Sequence, residues 1–373
     1  MLSPPFRADH VGSLLRPKAL LDARRRRQEN TISKEKLREI EDQHIREVAQ
    51  KEEAIGLQSV TDGEFRRTYF HVDFLQQLAG ITVSGGIGVR FRRQSGEVDF
   101  APPRLSVTGK LRHVRDIQKA DYEFLRSVTT RTPKVAIPSP TMVHFRGGRQ
   151  AIDIDAYPDL DECFADLARC YRDEIQSLYR AGCRYIQLDD TNLAYLCDPK
   201  MRVGAKARGD DPDALPRAYA ALINSALDGR PDDLTVAVHL CRGNFKSAWV
   251  AEGGYEPVAD VLFNELNVDA YFLEYDDGRS GDFAPLRFVP KHKVVVLGLV
   301  TTKVAALESP RDLVQRINEA ARYMPLDRLC LSPQCGFSST VEGNELTEED
   351  QWAKLRLVCD VAREVWGDGR SPN

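Results

Sequence analysis

"DLDECFADLARCYRDEIQSLYRAGCRYIQLDDTN", residues 159–192, contains one complete structural unit. Its first part places apolar residues at helical spacing and stops at Gly182, a residue suited to the left-handed turn after a helix. The pattern then changes to a short apolar run, 185–192, that ends in carboxylates. That is a helix feeding a strand buried on both faces, the repeating piece of parallel sheets.

The piece recurs along the chain. Short apolar runs with polar ends occupy 7–13, 57–64, 134–141, 185–192, 235–241, 270–277, 293–302 and 329–336. Helical patterns cover 33–55, 159–182, 213–227, 256–266, 309–324 and 347–366. Ser33 is a suitable N-cap, and Glu35 helps only through the helix dipole, because Lys36 leaves no capping box. Eight strands alternating with helices predict an α/β fold, a (β/α)8 TIM barrel formed by a single domain over 1–373. Residues 65–133 are too long for one crossover. They read as an insertion after the second strand, at the barrel mouth, with a loop, a hairpin and a short helix near 118–128.

Composition narrows the function classes. With 42% hydrophobic and 29% charged residues, the chain has the balance of a soluble globular protein. The net charge of −4 gives no reason to expect nucleic acid, and "ARRRRQ" (23–28) reads as a solvated face. No 18-residue apolar run and no signal peptide stand out, so no membrane contact is expected and the location is read as cytoplasmic. Eight cysteines in such a chain are not a disulfide framework. Composition leaves a homo-oligomer open.

Reacting groups in such barrels project from the C-terminal ends of the strands. Here the first strand ends in His10, Gly12 and Ser13, the second in Asp62 and Glu64, the fourth in Asp189 and Asp190. The fifth ends in His239 and Cys241, the sixth in Glu274, the seventh in Thr301 and Thr302, and the eighth in Cys335. His239 and Cys241 lie two apart on a strand and so share one face. Two thiolates, an imidazole and a carboxylate make a reasonable tetrahedral set for Zn2+. Spacing alone leaves Asp276 open as the fourth ligand.

The motifs "HVGSLLRP", "TDGEFRR", "IQLDDTNL", "VHLCRGN", "YFLEYDD" and "LSPQCGF" resemble the catalytic C-terminal barrel of cobalamin-independent methionine synthase. The likeness spans nearly the whole chain. The length and the "GLVTTK" strand are most similar to short single-barrel bacterial relatives. The resemblance implies that His239, Cys241, Glu274 and Cys335 bind zinc. It implies that Ser13 holds the substrate amino acid and that Glu64 and Asp189 grip the ammonium of homocysteine. Zinc would keep the substrate sulfur deprotonated, whereas a free thiol has a pKa of about 8.5. Glu274 could loosen as that sulfur arrives.

Three departures from the family's pattern leave the methyl donor open. Asp190 stands where the full-length synthases have Glu. "GLVTTK" lacks the histidine associated with proton delivery to the leaving folate, and neither Thr301 nor Thr302 is a comparable acid. The folate-stacking tryptophan falls near Phe145. His10, His144 and Asp190 are therefore candidate catalytic groups, each histidine having a plain hydrogen-bonded core role as its rival. Arg16 could meet a substrate carboxylate, or serve only as an ion pair.

The expected function is zinc-dependent methylation of homocysteine to methionine, from methyltetrahydrofolate or another small methyl donor. Two rivals remain. One is epoxide opening with coenzyme M, a chemistry found in the same family. The other is a non-catalytic accessory barrel that binds zinc or a thiol.

Overall fold

The computed structural model describes residues 4–86, 88–93, 96–101 and 103–367. Six strands form one parallel sheet: β1 (Val135–Pro138), β2 (Tyr185–Asp190), β3 (Thr235–Leu240), β4 (Ala270–Glu274), β5 (Val294–Val300) and β6 (Leu329–Pro333). Their spatial order is their chain order. Parallel neighbours need long crossovers, and helices Leu160–Arg180, Leu215–Ala226 and Pro310–Ala320 supply three of them. The fold is α/β.

The other two strand-like runs flank this sheet. Beside β6, Asp9 donates its N–H to Leu331 O at 3.0 Å, and Leu331 returns one to Arg7 O at 2.8 Å. Beside β1, Ser59–Val60 pairs in parallel with Thr132–Pro133. These two flanks are linked by Ser59 Oγ donating to Asp9 Oδ1 at 2.7 Å, by Thr61 Oγ1 donating to Gly12 O at 2.7 Å and by the Leu14 N–H donating to Gly63 O at 3.0 Å. Both runs make far less ladder than their length promised. Gly12, at φ +132°, turns the first away from extended backbone.

Alternation along the strands separates two kinds of surface. Ile186, Leu188, Val236, Val238, Tyr271, Leu273, Val295 and Leu297 join the large core that includes the helices' buried stripes. The intervening residues Tyr185, Ala237, Ala270, Phe272, Val296 and Cys330 form a separate small cluster with Val11. Asp189, His239 and Glu274 continue that second series at the strand ends, since side chains two apart share a face. The sheet thus carries its polar termini on the same face as the small inner cluster.

The helix Leu160–Arg180 buries Cys163, Leu167, Cys170, Tyr171, Ile175 and Leu178, one stripe at three- and four-residue steps. Asp159 caps it by accepting the Asp161 N–H, and Gly182 follows it at φ +105°. Ser33 likewise accepts the Lys36 N–H at 3.1 Å and opens the helix Lys34–Ile55. The helix expected over 256–266 is instead a 3-10 turn, Glu256–Val258, followed by a π turn, Val261–Glu265. The Lys293 ammonium takes the carbonyls of Phe263 (3.0 Å) and Leu266 (2.5 Å), and so holds the wider turn open.

Residues 65–133 contain two antiparallel pairs, Ala79–Gly86 with Pro103–Arg112 and Val89–Arg93 with Gly96–Phe100, then helix Lys119–Val128. The second hairpin reaches over the loop that follows β3. Arg92 and Trp249 exchange two backbone bonds, at 2.7 and 2.8 Å. Phe100 stacks on Phe245 with centroids 3.9 Å apart. No helix among the described residues is long and apolar enough to cross a membrane.

Candidate metal centre and thiol pocket

His239 stands on β3, Cys241 just after it, Glu274 closes β4 and Cys335 follows β6. Their ligand atoms all lie within 4.8 Å of one another, and all four residues are buried. Cys241 Sγ and Cys335 Sγ are 3.5 Å apart. Glu274 Oε1 accepts the Arg242 N–H at 3.0 Å. Glu274 Oε2 and both His239 ring nitrogens are buried with no hydrogen-bond partner among the described residues.

Buried polar atoms are ordinarily paired, so three orphans beside two thiols call for a cation. The donor set of two sulfurs, one imidazole and one carboxylate suits zinc. The Cys241 hydrogen bond holds the Cys335 thiol well below its ordinary range and pushes Cys241 up, so one sulfur of the pair is already disposed to be thiolate. Asp276 does not join the cluster. Its carboxylate pairs with Arg279 at 3.3 Å, which leaves Glu274 as the fourth donor.

A cavity of about 50 Å³, partly open to solvent, lies beside these groups. Ser13, Glu64 and Asp189 line it together with His239, Cys241 and Cys335. Glu64 sits at φ +58°, a left-handed conformation that costs a non-glycine residue energy and is often found at functional sites. Burial pushes its carboxyl up to about 7, against the pull of Arg67, whose Nη1 is 3.6 Å away. Burial also pushes Asp189 up to about 6, although Gln187 donates to its Oδ1 at 2.7 Å. Two buried carboxylates facing one cavity are a receptor for a cation. Ser13 meets the Cys335 loop closely. A Cβ on Gly336 would fall 1.9 Å from Ser13 Oγ, so any side chain there would force Ser13 to move.

Five of the expected site residues do not line this cavity. Arg16 donates through Nη1 and Nη2 to the carbonyls of Ser338, Thr340, Glu64 and Arg67 and to Ser338 Oγ, so it ties two loops together and lies off the cavity wall. His10 is buried 3.2 Å from Glu52, and burial pushes it down to about 3, which makes it a poor acid near neutrality. His144 bonds the Tyr219 hydroxyl at 2.9 Å, and burial pulls it down too. Asp190 accepts from Thr141 Oγ1 at 2.5 Å and from the Leu193 N–H at 2.8 Å, which fixes the turn after β2. Phe145 is buried between Tyr195 and Tyr219, with the Arg208 guanidinium over its ring. Thr302 donates to Gln334 Oε1 at 2.8 Å and so steadies the approach to Cys335.

The aromatic wall of the cavity comes from elsewhere. Tyr69, Phe70, Phe91 and Phe100 arrive from residues 65–133, and Tyr195 from the turn after β2. Arg146 also lines the cavity, its Nη1 3.3 Å from His71 Nε2.

The family model for the catalytic domain of cobalamin-independent synthase matches residues 6–364. The chain belongs to that family. The uncharacterized protein YxjH of Bacillus subtilis is 49% identical over 365 residues, covering 97% of this chain and 95% of that one. The methionine synthase of Pyrococcus horikoshii is 26% identical over 331 residues, 88% of this chain and 85% of its own. Among solved structures, the putative vitamin-B12 independent methionine synthase from Listeria monocytogenes is 37% identical, with a TM-score of 0.79 over 98% of this chain and 100% of that one. A B12-independent methionine synthase from Shewanella, solved with selenomethionine, is 20% identical at a TM-score of 0.73 over 97% and 98%, and shows the likeness of fold alone. The aromatic cap over the cavity is built from residues 65–133. The signal for it in the sequence was the alternation in "VRFRR" (89–93), which places Phe91 and the arginines on a strand.

Proposed function

We propose that this protein transfers a methyl group to the sulfur of homocysteine, giving methionine, with zinc held by His239, Cys241, Glu274 and Cys335. One observation carries the reading: four convergent, partly orphaned donor atoms beside a cavity faced by two buried carboxylates. Zinc there supplies a Lewis acid that keeps a thiol deprotonated near neutral pH.

The protein's own groups do the rest. Glu64 and Asp189 take the substrate ammonium, whose charge offsets the burial that raises both carboxyls. Ser13, held against Gly336, stands where the amino acid's polar end would be steadied. Tyr69, Phe70, Phe91 and Phe100 exclude water and bring the methyl donor to the sulfur. The sulfur lone pair forms the new S–C bond as the bond from methyl to donor breaks and its electrons leave with the donor. Methyltetrahydrofolate or another small methyl donor fits this scheme.

We infer further that the strand runs close into one eight-stranded barrel, a single domain over 1–373 capped by 65–133. The Asp9–Leu331 and Ser59–Asp9 bonds and the inner cluster around Phe272 support that closure. The coenzyme M reading is disfavoured by charge, since a sulfonate would face Glu64 and Asp189. The test is a metal assay on purified protein, followed by thiol acceptors offered against methyl and epoxide donors. Consumption of mercaptoethanesulfonate without consumption of homocysteine would overturn the proposal.

A further inference from the structure

Among the described residues that line the cavity, Arg146 is the one with a permanent positive charge. It follows β1 and the short 3-10 turn Pro140–Val143, and no carboxylate pairs with it among the described residues. Its hydrogen bond goes to His71, Nη1 donating to Nε2 at 3.3 Å. Burial and the Arg146 charge push His71 well below its ordinary range, so the ring is neutral. An arginine only donates, and the bond therefore places the His71 proton on Nδ1. His71 is 3% exposed, and its Nδ1 is buried without a partner among the described residues. A guanidinium with no anion and an imidazole N–H with no acceptor thus stand side by side on the cavity wall.

His71 and Arg146 also line a second hollow of about 20 Å³, whose other walls are Pro103, Arg104, Leu105, Met142, Val143 and Gly147. That is room for a small polar group and not for a ring. No carboxylate lines this hollow, and Arg104 Nε is buried with no partner among the described residues. The polar walls therefore divide by sign. Glu64 and Asp189 are the acids of the cavity, whereas its junction with the hollow carries two arginines and no acid. The junction belongs with the aromatic cap, since the His71 ring lies 4.7 Å from that of Phe70.

An unpaired guanidinium in a partly buried site calls for an anion. In the scheme above the amino acid is taken by Glu64, Asp189 and Ser13, and the reactant under the cap is the methyl donor. We propose that Arg146, oriented by His71 and backed by Arg104, is an anion subsite for a carboxylate carried by the methyl donor. A guanidinium offers a carboxylate two parallel N–H bonds, which fix direction as well as charge. A sulfonium or quaternary ammonium donor would instead bring a second positive charge to Arg146. This rests on the methyl-transfer reading and selects among the donors it allows.

The probe is 5-methyltetrahydrofolate, which carries carboxylates, compared with 5,6-dimethyltetrahydropterin, which keeps the reduced ring and its methyl group and has none. Equilibrium dialysis gives both affinities, with thermal stability, metal content and homocysteine binding measured on the same samples. Arg146→Gln should weaken 5-methyltetrahydrofolate by about 10- to 100-fold, change the pterin by no more than about threefold and leave homocysteine within about twofold. Arg146→Lys keeps the charge without the fork and should fall between Arg146→Gln and the unaltered protein. Equal weakening of folate and pterin marks a structural role and overturns the proposal. So does an unchanged folate affinity, or an unaltered protein that does not bind 5-methyltetrahydrofolate. A loss confined to homocysteine gives Arg146 to the amino acid's carboxylate and overturns it too. Homocysteine binding by the unaltered protein tests the methionine reading separately: if mercaptoethanesulfonate is taken instead, that reading fails while the folate comparison still decides Arg146.

Discussion

Glu64→Gln tests the ammonium receptor most directly, because Glu64's raised carboxyl gives it a pH signature. With its carboxyl near 7, Glu64 is about one-tenth ionised at about pH 6 and about nine-tenths at about pH 8. An ammonium prefers the ionised form, so affinity for an amine-bearing thiol should rise about tenfold across that window and fall again on acidification. Thiol deprotonation adds a pH dependence of its own, and this must be removed. The clean quantity is a ratio, the dissociation constant of 4-mercaptobutanoate over that of homocysteine. Both share the thiol and the carboxylate, and only homocysteine carries the amine. In the unaltered protein the ratio should climb about tenfold from about pH 6 to about pH 8. Glu64→Gln keeps the shape and removes the charge. The ratio should then drop by about 10- to 100-fold at the alkaline end, the worth of a charge-assisted hydrogen bond, and its slope through the window should flatten. Thermal stability and metal content, measured on the same samples, report whether the fold survives. A Glu64→Gln protein with the same ratio and the same slope would refute the ammonium assignment, whatever its activity.

Cys335→Ser should lose stoichiometric zinc by elemental analysis, with affinity down about 100-fold or more, while circular dichroism stays near that of the unaltered protein. Arg16→Ala should lower stability by about 3–5 kcal/mol in a denaturant titration, because four carbonyls and a hydroxyl lose their common donor. Gly336→Ala should cost about 1–3 kcal/mol and weaken homocysteine binding, since its Cβ would displace Ser13. Phe145→Ala should destabilise by about 3–5 kcal/mol and leave homocysteine affinity within about twofold, as expected of a ring packed behind the cavity and not in it.

The alternation of helix and buried strand was legible because it follows from burial on both faces, which leaves little choice of residue type. The convergence of His239, Cys241, Glu274 and Cys335 into a cluster that could hold a metal was legible for a related reason. His239 and Cys241 share a strand face, and strand ends of a parallel sheet converge, so the spacing carried three-dimensional information. The expected site residues that do not line the cavity share a feature. Arg16, His10, His144, Asp190 and Phe145 all lie near strand ends, and a pattern of positions does not say whether a side chain turns toward the cavity or back into the loops. Hydrogen bonding decides that, as the Arg16 guanidinium shows by spending itself on backbone carbonyls. The aromatic cap was missed because, apart from the short alternation at 89–93, residues 65–133 lack a strict period. Phe91 and Phe100 reach the cavity only through pairing with Trp249 and stacking on Phe245, contacts far apart in sequence.

The two-residue alternation of β3 also has a bearing on how the chain matures. Leu240 lies between His239 and Cys241 and points into the large core. Were β3 to pair one step out of place, Leu240 would take the position of the imidazole, and both donors would be driven among the aliphatic side chains. Such a misaligned chain could look compact and still be unable to capture an ion. Under the zinc proposal, metal uptake is therefore a check on alignment: a newly made molecule that takes up zinc would have its central ladder correctly set.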